Sequence, residues 1–135
     1  MNNDIRWKQR FENFENAYKT FNRMIDRHSK TPDDEAVKMA LVQAFEFTYE
    51  LSWNTMKDYL ENEGFDEIKT GKQAIRTAFQ AELITNAEEW MDVVEKRNLA
   101  SHSYNIEILD ETIDFILERF YPVVRKLYED LKSRL

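Results

Sequence analysis

Trp7, Phe11, Phe14, Tyr18, Phe21 and Ile25 follow one another at spacings of 4, 3, 4, 3 and 4, with Lys, Arg, Glu and Asn in the gaps. That rhythm puts the apolar side chains on one stripe of a helix and the polar ones on the rest of its surface. The aromatic stripe is read as core packing rather than as the seat of a flat ligand. The stretch "SKTPDDEA" then predicts a helix start, with Thr31 as N-cap, Pro32 in the first turn, and Asp33 and Asp34 at the positive end of the dipole. Val37, Leu41, Ala44, Thr48, Leu51, Thr55 and Tyr59 carry this second helix to a stop at Gly64. At about 1.5 Å per residue it would be roughly 45 Å long.

Past the loop "GFDEIKTG", Ala74, Ile75, Ala78 and Phe79 predict a shorter helix. Thr85 or Asn86 caps a fourth, with Glu88 or Glu89 placed as in a capping box. Its apolar positions are Trp90, Val93, Val94 and either Leu99 or Ala100. A last segment runs from about Ile106 to the C-terminus through Leu109, Ile113, Ile116, Leu117, Phe120, Val124, Leu127 and Leu131. Pro122 lies inside it and predicts a kink. No linker, repeat or low-complexity tract breaks the series. The expectation is an all-α fold: an antiparallel four-helix bundle with a short additional helix, forming a single domain over residues 1–135.

Composition sharpens this picture by exclusion. Only two glycines and two prolines occur in 135 residues, too few for the many tight turns of an all-β fold. Apolar residues at 42% and aromatics at 13% are too abundant for a disordered chain. Cysteine is absent, which removes disulfides and thiolate metal sites. No apolar run approaches the roughly 20 residues of a membrane span, and "MNNDIRWKQRFENF" lacks the apolar centre of a secretion signal. The expected location is the cytoplasm, with no membrane partner. The formal net charge of −7 has the wrong sign for a non-specific nucleic-acid binder. Contact with RNA must therefore come from a local positive patch or from a partner.

Familiar chemical motifs are missing. "TGKQA" resembles a phosphate-binding loop only superficially: Gly64 lies seven positions before Gly71, and Gln73 follows Lys72 where a magnesium-binding hydroxyl belongs. It is read as a loop entering a helix. His28 and His102 are too few for an imidazole-based zinc site. His28 falls near the end of the first helix, where a cation is favoured in any case. Neither a metal nor a cofactor is expected. The charges of "KQAIRTAFQAE" and "LDETIDFILER" mix signs at helical spacing, as on salt-bridged, solvated faces.

One stretch stands apart. "RNLASHSYN", residues 97–105, gathers Arg97, Asn98, His102 and Tyr104 where the helical pattern weakens. On a helix turning about 100° per residue, Asn98 and His102 share one face and Arg97 and Tyr104 another, roughly 120–160° away. A regular helix cannot aim all four at one small ligand. Either the helix ends within "SHSYN", whose propensity is low, or a second copy of the chain completes the site.

With its flanking helices this stretch resembles the HEPN family, within it the branch of nucleotidyltransferase substrate-binding proteins. The likeness is carried by "FEFTYELSWNTMKDYLENEG" at 45–64, "AIRTAFQAELI" at 74–84, Trp90, and "RNLASHSY" at 97–104, in that order, and it covers nearly the whole chain. The resemblance implies a homodimer formed through the motif-bearing helices. It also implies a partner, a minimal nucleotidyltransferase encoded by the adjacent gene, in a two-component and often toxin–antitoxin system. In toxin members the motif arginine and histidine serve a metal-independent endoribonuclease, and the partner adenylylates the motif tyrosine. Carried over, Arg97 and His102 are the expected catalytic pair, Asn98 a substrate-binding residue and Tyr104 the modification site.

Each role suits its side chain. Arg97 would grip a phosphate as a permanently charged fork. His102 would move protons as a ribose 2′-hydroxyl attacks. Asn98 would orient the imidazole or donate to phosphate, and an AMP on Tyr104 would repel RNA by charge and bulk. Three functions follow: a ribonuclease, a non-catalytic subunit presenting substrate or nucleotide to a nucleotidyltransferase, and a dimeric scaffold.

Overall fold

The computed structural model describes residues 2–100 and 105–135. Helix α1 (Asn3–Lys30) and helix α2 (Glu35–Asn62) form an antiparallel hairpin. Its register is visible in pairs that cross it: Arg6 with Glu61, Arg10 with Asp58, and the Thr48 hydroxyl near the Ala17 carbonyl. The stripe expected on α1 is its buried face, with Trp7, Phe11, Phe14, Tyr18 and Phe21 all buried and Ile25 partly so.

The hairpin turn differs from expectation by a few residues. Thr31 closes α1 instead of opening α2: its hydroxyl donates to the Arg27 carbonyl at 3.0 Å. Asp34 is the N-cap of α2, its carboxylate accepting the Val37 N–H at 3.2 Å. Pro32 explains the shift, since the residue before a proline is pushed out of the helical region; Thr31 has φ −136° and ψ 63°.

Helix α2 is buried on more than one stripe. Beyond the expected Leu41, Thr48, Thr55 and Tyr59, it also buries Val42, Phe45, Tyr49, Ser52, Met56, Asp58 and Leu60. The cause is its central place, packed by α1 on one side and by the later helices on the others. It ends as expected at Gly64, whose φ of 102° suits a residue without Cβ. The Phe65 N–H reaches back to the Leu60 carbonyl and the Gly64 N–H to that of Glu61, satisfying two terminal acceptors.

Helix α3 (Gly71–Gln80) is the short inserted helix. Thr70 caps it by accepting the Gln73 N–H, and the Gln73 side chain in turn accepts the Lys69 N–H, so "TGKQA" is a helix entry. Ala74, Ile75 and Ala78 are buried, but Phe79 is half-exposed and does not join the core. Helix α4 (Ala87–Leu99) begins at Asn86, which makes no side-chain capping bond. Trp90, Val93, Val94 and Ala100 are buried, while Leu99 faces solvent.

Helix α5 (Ile106–Phe115) passes through one π-helical turn (Ile116–Phe120) into α6 (Tyr121–Lys132). The π turn stands just before Pro122, where the sequence predicts a kink. Pro122 has no N–H for the usual bond four residues back, and its ring would crowd that carbonyl. The preceding turn widens, and the Tyr121 N–H bonds to Ile116. Helix α4 runs antiparallel to this long segment, as the contacts Asp92–Arg119 and Lys96–Phe115 show. Helix α6 runs antiparallel to α1, with Phe21 against Phe120 and Phe11 against Tyr128.

The result is an up-down-up-down helical bundle with α3 inserted between its second and third long elements, as the hydrophobic pattern predicts. Phe120, in the π turn, meets a ring from each other long helix: Phe21 of α1, Phe45 of α2 and Trp90 of α4. The packing of all four long elements thus converges on the last residue of the π turn. No helix among the described residues is long and apolar enough to cross a membrane.

Candidate active site

Arg97 lies in the last turn of α4 and leans onto α2. Its Nη2 stands 3.5 Å from Glu50 Oε1. The other oxygen of Glu50 accepts a hydrogen bond from the Trp53 indole N–H at 3.1 Å, so the carboxylate is held by its own helix and turned toward the guanidinium. Beneath them Tyr49 is buried, and its hydroxyl pKa is pushed up to about 12, chiefly by burial and then by the charge of Glu50, with Arg97 opposing. The phenol therefore stays protonated through neutral pH.

Gly71 explains how closely α3 approaches this cluster. A Cβ there would collide with the Tyr49 hydroxyl and touch the Trp53 ring. The glycine serves close packing, since the rings of α2 need its missing side chain.

Gln43, Glu46, Phe47, Glu50 and Arg97 enclose a partly open cavity of about 160 Å³. The Arg97 side chain is 37% exposed, yet its Nε is buried and has no hydrogen-bond partner among the described residues. An exposed ion pair is worth only about 0–1 kcal/mol. Arg97 can therefore exchange Glu50 for a phosphate oxygen at small cost. A larger concavity, about 660 Å³, lies on the outer face of α1 around Arg23 and Arg27 and shares no residue with this site.

Asn98 is exposed, one residue and about 100° further round the helix. His102 and Tyr104 lie outside the described residues. Helix α4 stops at Leu99, and α5 starts afresh at Ile106 behind an Asn105 cap that accepts the Glu107 N–H at 2.9 Å. His28 lies in the last turn of α1, beside Lys38 and Asp110, apart from Arg97. Among the described residues no three His, Cys, Asp or Glu side chains converge as a metal site would require.

Sequence reasoning found Arg97 but missed Glu50, Trp53, Glu46 and Phe47. Glu50 and Trp53 are three apart on α2, and that pairing can be read locally. Their meeting with residue 97 depends on tertiary packing, which no local pattern encodes.

Comparison with known proteins agrees with this architecture. The family model described as nucleotidyltransferase substrate binding protein like matches residues 9–133. A curated relative from Haemophilus influenzae, named "Probable ribonuclease HepT", is 31% identical over 101 residues. That match covers 69% of this chain and 66% of the relative, just under two thirds of its length. A solved structure from the same organism, titled as the fold of a substrate-binding domain of a nucleotidyltransferase, aligns with a TM-score of 0.80. It is 23% identical, with 90% of this chain and 98% of that one covered, and at that identity it speaks for the fold. With nearly its whole length matched, the chain belongs to the nucleotidyltransferase substrate-binding-protein-like family.

Proposed function

We propose that this protein is the HEPN component of a two-component system with a minimal nucleotidyltransferase, and that it cleaves RNA without a metal ion. The observation that carries the reading is Arg97: a guanidinium, its side chain 37% exposed, that lines a partly open cavity and is held by Glu50 only across 3.5 Å. The name of the Haemophilus relative supports it.

In this reading His102 accepts the proton of a ribose 2′-hydroxyl as its oxygen attacks the adjacent phosphorus. The bond from phosphorus to the 5′ oxygen breaks, that oxygen takes up a proton, and a 2′,3′-cyclic phosphate remains. Arg97 offsets the charge that builds on the phosphoryl oxygens, and Asn98 orients the imidazole or donates to phosphate. Two copies pair through the motif-bearing ends. Leu99, Ile106 and Phe47, apolar side chains left 52%, 60% and 59% exposed on elements near Arg97, support that pairing. Adenylylation of Tyr104 by the partner would place an anion where RNA must enter.

The test is RNA cleavage in EDTA. The expected products carry cyclic phosphate ends, and they vanish with His102→Ala or Arg97→Ala. Intact-mass measurement after incubation with the nucleotidyltransferase and ATP tests Tyr104; no AMP adduct would remove that role.

Glu46 and Glu50 beside Arg97 favour a second reading, because two carboxylates lower the affinity of the cavity for phosphate. In it the protein docks onto a nucleotidyltransferase and presents substrate without cleaving anything. Wild-type protein that is inert on RNA yet forms a stable complex with the neighbouring gene's product would put this reading first.

A further inference from the structure

We propose that the outer face of α3 is a docking surface for single-stranded RNA, feeding the strand toward Arg97. The proposal rests on the ribonuclease reading above and supplies the local positive patch that an acidic protein of net charge −7 requires.

Charge segregation is the first observation. Residues 68–81 contain Lys69, Lys72 and Arg76 and no Asp or Glu. Elsewhere cations are largely engaged: Arg6, Lys8, Arg10, Lys19, Lys30, Lys38 and Lys57 all pair with carboxylates, as do Arg119, Arg125 and Lys132 of the last long segment and Arg97 itself. The side chains of Lys69, Lys72 and Arg76 make no ion pair among the described residues, and all three are exposed. The salt-bridged face expected from "KQAIRTAFQAE" therefore does not form on α3. Helix α3 ends at Gln80, and Glu82 lies beyond it in a left-handed turn with φ 62°.

Aromatic placement is the second. Phe79 is 51% exposed instead of joining the core. At about 100° per residue Lys72, Arg76 and Phe79 fall within roughly 60° of one another, so ring and cations share one face. Lys72 and Arg76 are separated by about 6 Å of helical rise, comparable with successive phosphates on an extended strand. A stacking plane beside a row of cations suits unpaired bases on a phosphate backbone.

Continuity with the site is the third. The first residue of α3, Gly71, lies against Tyr49 and Trp53, Trp53 holds Glu50, and Glu50 meets Arg97. The N-terminal residue of α3 thus lies two side chains from the candidate catalytic arginine, and Lys72 follows it in the chain.

The experiment uses full-length protein carrying His102→Ala, so that RNA stays intact, and a short fluorescein-labelled single-stranded RNA read by anisotropy across a salt series. Lys69→Gln, Lys72→Gln and Arg76→Gln combined should weaken binding about tenfold or more at low salt. The slope of log Kd against log salt should fall by about 2, at about 0.7 for each phosphate no longer neutralised. Phe79→Ala should weaken binding about fivefold or more with the slope unchanged. Circular dichroism melts confirm that these exposed changes leave the fold intact.

Unchanged affinity and slope in the triple variant would overturn the proposal while wild-type cleavage left the ribonuclease reading standing. Salt-dependent binding through α3 by a wild-type protein that never cleaves RNA would uphold the surface and overturn the nuclease. Loss of the nucleotidyltransferase complex or of self-association in the triple variant, with RNA affinity unchanged, would assign α3 to a protein partner and also overturn the proposal.

Discussion

Two arginines meet carboxylates of α2, and they do so differently. Arg10 Nε stands 2.8 Å from Asp58, whose side chain is 1% exposed and which Lys57 approaches from the other side. Arg97 stands 3.5 Å from Glu50, with both side chains more than a third exposed. The first pair fastens the α1–α2 hairpin around a charge that water cannot reach. The second leaves its guanidinium lining a cavity, with Nε unpartnered among the described residues. The same two chemical groups make a staple in one place and an exchangeable contact in the other. Burial of the carboxylate sets the difference.

Substitution of each arginine separates the two roles. On the proposed ribonuclease reading, Arg97→Ala should lower kcat/KM for RNA cleavage by about a hundredfold or more, the usual loss when a transition-state charge partner is removed. Its unfolding free energy from urea titration should change little, by about 0.5 kcal/mol or less. A destabilised Arg97→Ala with proportionate activity would make this pair a staple as well.

Arg10→Ala should do the reverse. Removing one partner of a buried pair leaves an uncompensated charge, worth about 3–5 kcal/mol in full burial. Arg10 itself is partly exposed and Lys57 remains near, so about 2 kcal/mol of lost stability is expected. Specific activity at a temperature where the variant is folded should be unchanged.

The contrast also explains what the sequence revealed. The α1 stripe was legible because one face of that helix is buried and period alone identifies it. Helix α2 was only half legible: Phe45, Tyr49 and Met56 lie off the expected stripe, because a central helix is buried on several sides. Phe79 looked like core at the correct helical spacing but faces solvent, and Thr31 looked like a cap but yielded that role to Asp34 two residues after Pro32. At the site, Arg97 and Asn98 could be picked out through the family motif. Glu50 and Trp53 could not, since they are almost fifty residues earlier and only packing brings them to Arg97.

The layer beneath the loose pair has its own test. Gly71→Ala adds a methyl that meets the Tyr49 hydroxyl, and should cost about 1–2 kcal/mol although alanine is the better helix former. In a Tyr49→Phe background the same change should be neutral or stabilising, because the obstructing oxygen is gone. A double-mutant cycle by urea unfolding reads the coupling directly. Additive effects would mean that α3 does not rest on Tyr49 as described.

The smallest effect expected bears most closely on the comparison. Glu50→Gln keeps an acceptor for the Trp53 indole but removes the charge that competes with phosphate for Arg97. Loss of an exposed pair should change stability by less than about 1 kcal/mol. If Glu50 is an exchangeable partner, KM for RNA should fall, by up to about fivefold for about 1 kcal/mol of competition relieved, with kcat nearly constant. A fall in kcat with KM unchanged would instead mean that the charge itself orients Arg97 in the transition state. The pair would then be a positioning device in its own right, and a closer relative of Arg10–Asp58 than its 3.5 Å separation implies.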